Sequence, residues 1–334
     1  MRLSGSEGPI NALAFAPDAK YIASGGLRRE KLRVWDISRK QVHQVIGDDL
    51  ERWGQITCIL WLAGFSDHGD ALCFGTGRGL VLIYQKTKDG DHFKELSSTG
   101  VAPFNEPVEA MDFDKKKNRL ALSSHAGKIK VFHVEKNGTL IALWTKSWND
   151  IQEARGVIPR SVQFTDKGEN IVSFGLESGV MLSKVAATGV DNWSKVLKSS
   201  IGNVCFSADR KWLLVDNLAK GFDLYNYPHT SPTDSFQVSR TKAFVQQGVF
   251  LEDETSVACG SDHGDIHIFS RGTSTCLQKL RHGSSKTMVQ IIDACSTSNE
   301  HFIASGTDET KPVIHIWAKK VIEINSALAA DAVL

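Results

Sequence analysis

Apolar and polar residues alternate along this chain in a pattern that returns seven times. Each copy has an apolar strand closing on an aromatic, a polar turn and a second apolar strand running into small residues. A tight loop then leads to a third strand of alternating apolar positions. The third strands are Leu32-Arg33-Val34-Trp35, Val81-Leu82-Ile83-Tyr84, Ile129-Lys130-Val131-Phe132, Val180-Met181-Leu182-Ser183, Phe222-Asp223-Leu224-Tyr225, Ile266-His267-Ile268-Phe269 and Ile314-His315-Ile316-Trp317, and they end 42 to 51 residues apart. Period-two alternation puts every second side chain on one face, which predicts half-buried strands. The first strands close on Phe15, Trp61, Phe113, Phe164, Phe206 and Phe250; the seventh, from Val289 to Cys295, lacks the ring. A fixed period in this range predicts a repeat architecture, because one such unit cannot bury both its faces without stacked neighbours.

The first copy carries a specific likeness. The run Gly8-Pro9-Ile10-Asn11-Ala12-Leu13-Ala14-Phe15-Ala16-Pro17-Asp18, continuing through Tyr21-Ile22-Ala23-Ser24-Gly25-Gly26 to Leu32-Arg33-Val34-Trp35-Asp36, resembles a WD40 repeat. Phe302 to Asp308 with Ile316-Trp317 is a second clear copy, and Trp35-Asp36 is the only Trp-Asp pair at the signature position. The likeness covers essentially the whole chain and fades in the middle. The whole is also similar to the stand-alone WD-repeat chains numerous in mushroom-forming fungi.

The resemblance implies an all-β fold, a seven-bladed β-propeller of four-stranded antiparallel blades. One propeller would span 1–325, with blades near 6–48, 55–102, 107–157, 158–199, 200–241, 242–287 and 288–325, followed by a tail at 326–334. It further implies a buried His, Ser/Thr, Asp and Trp network within each full repeat. Repeat seven offers His282, Ser305, Asp308 and Trp317; repeat one has Ser24 and Trp35, with Ser6 where the His would stand. For the outer strand of the last blade, Lys319-Lys320-Val321-Ile322-Glu323-Ile324 is preferred over the few residues before Gly5. Small residues at Gly25-Gly26, Gly75, Gly175 and Ser305-Gly306 are expected where sheets approach closely.

Charge narrows the partners. The 334 residues hold 39 Lys+Arg against 38 Asp+Glu, so no global field draws in nucleic acid. No apolar run approaches the ~18 residues of a membrane span. The six cysteines are scattered and form no C-x-x-C, which argues against zinc or a redox pair and is consistent with reduced thiols in the cytoplasm. No P-loop, nucleophile elbow, zincin or EF-hand pattern occurs. Gly75-Thr76-Gly77-Arg78-Gly79 leads into a strand, so it lacks the helix end that holds phosphate. No cofactor or metal is expected, and the chain is read as a monomer.

Function is therefore sought in the loops that a propeller presents on one face. The loops joining second to third strands contain Arg28 and Arg29, Arg78, His125, Glu177, Asn217 and Lys220, Asp262 and His263, and Asp308. The segments leading into the first strands contain Trp53, Phe104, Arg160 and Lys242. Arg and aromatic residues amid mixed charges have the composition of protein-interface hot spots. The expectation is a non-enzymatic scaffold that binds a protein or peptide there. Two alternatives are a glycan or small-ligand site stacking on Trp53, Trp148 or Phe104, and an enzyme at the channel mouth using Asp262, His263 and His125.

Overall fold

The computed structural model describes residues 1–27, 31–47, 52–67, 69–87, 91–309 and 311–321; the expected tail at 326–334 lies outside them. Each alternating third strand pairs on both its edges. Lys128–Val134, for example, lies antiparallel between Arg119–Ser124 and Leu140–Ser147. Its alternating apolar side chains Ile129 and Val131 are fully buried. Seven four-stranded antiparallel sheets result, formed from 10–46, 56–100, 108–147, 159–196, 204–237, 248–281 and 289–320 with 2–4. The repeats are thus the seven blades of a β-propeller.

The core lies in the seams between blades, where each inner-strand aromatic packs back against the preceding blade. Trp61 of blade two sits with Val34 of blade one and with Leu72 and Tyr84 of its own blade. Phe15 of blade one packs with Ile316 of blade seven and with Ile22 and Trp35. At the upper end of the seams the fit is tight enough to demand glycine. A Cβ on Gly75 would lie 2.9 Å from Val108, and one on Gly306 would lie 2.9 Å from Ile10. Both neighbours begin the next blade's inner strand, so there is no room for a side chain.

The ring closes through the N-terminus, against the preference for the C-terminal segment. Arg2–Ser4 pairs antiparallel with Val313–Lys320, with Leu3 opposite Ile314. The Met1 ammonium donates to the Ile316 carbonyl at 2.6 Å, and the Ile316 amide donates to Met1 O at 2.9 Å. Leu3 is fully buried beside Ile10, Ile314 and Ile316. Lys319 and Lys320 belong to the third strand, which runs eight residues, and Ile322 to Ile324 lie outside the described residues.

The expected polar network forms in part. Trp35 Nε1 donates to Ser24 Oγ at 2.8 Å in blade one. In blade seven, His282 Nδ1 lies 2.6 Å from Ser305 Oγ. Asp308 is exposed, and His315 stacks on His282 at 4.1 Å, with Trp317 edge-on beyond it. Burial and the His315 neighbour lower the His282 pKa to about 4. Trp148, one of the rings considered for stacking a ligand, is fully buried and donates to Ser173 Oγ at 2.9 Å. Two 3-10 turns, Trp148–Asp150 and Gln152–Ala154, fold the segment over the seam between blades three and four and drive the indole inward.

Candidate functional site

One face of the ring gathers the turns 77–79, 125–127, 176–179, 217–220 and 260–264 beside the segments that lead into the next inner strands. Buried carboxylates fasten these loops. Asp216, at the end of its strand, pairs with Arg240 from the neighbouring loop and accepts from the Gln246 amide at 2.8 Å. Burial raises the Asp216 pKa, against the pull of Arg240. Asp262 accepts from the Thr241 amide at 2.7 Å and the Lys242 amide at 3.2 Å. Burial opposes ionisation of Asp262, but the bonds from Thr241 and Lys242 hold its pKa below the ordinary value. The turns 217–220 and 260–264 are therefore pinned to the segments beside them.

A recurrent β-bulge shapes the channel mouth. Pairing of the inner strand skips one residue in five blades: Asn11, Thr57, Glu109, Arg160 and Gln290. A bulge re-aims the unpaired residue. Asn11, Thr57, Glu109 and Arg160 line a cavity of about 190 Å³ at the channel mouth, together with Asn203 and Gln247. Glu109, nearly buried, takes Arg160 Nη1 at 2.5 Å and His125 Nδ1 at 2.6 Å. The bulge thus turns two adjacent inner strands into a charge pair facing the channel.

The proposed residues fall into distinct roles. Arg28 and Arg29 lie outside the described residues. Arg78 and Phe104 come together: the guanidinium sits 5.3 Å from the ring centroid, and Phe104 is 71% exposed. His125 and Arg160 meet through Glu109. Asn217 is spent on its own turn, its Oδ1 accepting from the amides of Ala219, Lys220 and Gly221. Lys220, Glu177 and Asp308 are exposed, and Glu177 has a left-handed backbone, φ 60°. His263 contacts Asp262 at 2.8 Å. Trp53 is partly buried, its ring 5.4 Å from Phe74 and 6.5 Å from Tyr84. Of the three rings considered for stacking a sugar, only Phe104 shows its face to solvent. Of the three groups considered as acid-base residues, Asp262 is held by its neighbouring loop and His125 by Glu109.

Two residues escaped the sequence reading. Glu109 organises the mouth, and its signal was parity: it shares the inner-strand position of Asn11, Thr57 and Arg160. Phe244 is 47% exposed, with Lys242 Nζ 5.4 Å from its ring centroid. An aromatic in the polar stretch between two strands was the available cue. Phe104 with Arg78 and Phe244 with Lys242 are thus two exposed ring-cation pairs on the same face.

No helix among the described residues is long and apolar enough to cross a membrane. The family model "WD domain, G-beta repeat" matches residues 1–36. No curated protein matches the chain. The matched first repeat and the seven stacked blades built on the same plan make this chain a WD40-repeat β-propeller.

Proposed function

We propose that the chain is a non-enzymatic scaffold whose loop face binds a protein or peptide through Phe104 and Arg78. WD40 propellers commonly mediate protein interactions and are generally not enzymes. The observation that carries the reading is the Phe104 ring, left 71% exposed with a guanidinium over it, in a turn closed by the Glu106 amide on the Pro103 carbonyl at 3.0 Å. A large ring costs little conformational entropy to immobilise and buries much area, and Arg is its frequent companion at interface hot spots. Phe244 with Lys242 gives a second anchor of the same kind. The rigid loops limit the ordering cost of association.

The test is affinity capture from a source lysate with the native chain and a Phe104→Ser/Arg78→Glu variant. A partner retained by the native chain and lost by the folded variant is the expected result. Equal capture by both chains would move the recognition surface elsewhere.

A further inference from the structure

Six of the seven seams are filled by an aromatic ring from the inner strand; the seam between blades six and seven is not. Phe15 stands opposite Ile22, and Trp61 opposite Leu72; at the same register Ala294 stands opposite Ile303. The adjoining second strand supplies no ring either. Ser256 of blade six occupies the position held by Tyr21 in blade one, Trp212 in blade five and Phe302 in blade seven. The residues that would surround the missing ring are all present. Ile268, Ile303 and Trp317 correspond to the Val34, Leu72 and Tyr84 that enclose Trp61, and to the Ile316, Ile22 and Trp35 that enclose Phe15.

In the apolar cluster that holds Ala294 lies a cleft of about 150 Å³, walled by Leu251, Ile268, Leu280, Ile303 and Trp317. Trp317 is only partly buried, whereas Trp35 at the equivalent position is covered. An apolar space of roughly this volume holds one benzene-sized ring. The charges at its rim, Lys319 and Glu252, pair with each other at 2.8 Å, so the rim favours a neutral guest over an ion. Gln278 and His301 also line the opening and can meet one polar substituent.

We propose that this cleft binds a small neutral aromatic molecule, a single ring of the substituted-phenol class, in the place that phenylalanine or tryptophan fills in the other seams. The site is independent of the loop face.

The test is titration with p-cresol, followed by NMR of the methyl groups and the indole N–H. Saturable shifts confined to Leu251, Ile268, Ile303 and Trp317 are expected. Ala294→Phe should weaken binding by about tenfold or more without lowering the melting temperature, because the new ring fills the cleft. Ala294→Leu, a smaller filling, should give an intermediate loss. Absence of saturable shifts, shifts located on the loop face, or unchanged affinity in Ala294→Phe would each overturn the proposal. A short Phe-containing peptide that binds where p-cresol does not would also overturn it, by making the guest a side chain rather than a free ring.

Discussion

Individual residues here are held by long-range partners, and their titration follows from that. Asp216 and Arg240 are both almost wholly buried. Asp216→Asn would leave the guanidinium buried without its counter-charge, and a loss of about 3–5 kcal/mol is expected on chemical unfolding. Asp293 accepts from the Phe15 amide at 2.7 Å across the closing seam, and burial raises its pKa to about 7. Its folded value lies above the ordinary 3.8, so its stabilising contribution is complete below that pH and is lost as pH rises through about 7. Asp293→Asn should therefore gain melting temperature relative to the native chain at pH 8 and not at pH 4; equal differences at both would remove the assignment. His282 has the opposite sign. Its pKa is lowered to about 4 from 6.5, so its contribution is present above 6.5 and lost as pH falls through about 4. An NMR titration should find its ring neutral until the acid end of that window. None of these partners is near in sequence. The indole of Trp148 and its Ser173 acceptor are likewise 25 residues apart, so the contact that buries the ring was invisible in the sequence around it.

At the level of the strand, alternation was legible and closure was not. Third strands such as Ile129 to Phe132 announce themselves by period two, because one face of each packs into a seam. The inner-strand aromatics were legible for the same reason. The closing strand has three residues, Arg2–Ser4, and only Leu3 is apolar, which gives periodicity nothing to register. The eight-residue length of the last third strand absorbed Lys319 and Lys320, which had been read as part of a fourth. Leu3→Ala should cost about 2–5 kcal/mol and, because it loosens the ring at its joint, should lower the melting temperature. An unchanged melting temperature would mean that the joint contributes little. The inner-strand bulges were equally hidden. They insert Glu109 and Arg160 into the channel mouth through a pairing irregularity that depends on the second strand, and polar residues in an apolar strand were the only trace.

For the whole molecule, the repeat fixes a rigid ring, and its distinctions lie where the repeat is broken. Blade seven lacks a ring at Ala294 and has a cleft in the same apolar cluster; blades three and four carry the Glu109–Arg160 pair; the segment after blade two carries Phe104 in the open. Asn217 is spent on its own turn and Trp53 packs on Phe74, because the fold engages side chains that the sequence presents as available. What distinguishes Phe104 is that no seam receives it. Site-specific photo-crosslinking tests the binding face most directly, with a photoreactive phenylalanine placed at position 104 or, on the outer edge, at the exposed Leu277. A single partner crosslinked from 104 and not from 277 is the expected outcome; crosslinking from 277 and not from 104 would contradict the assignment of the loop face.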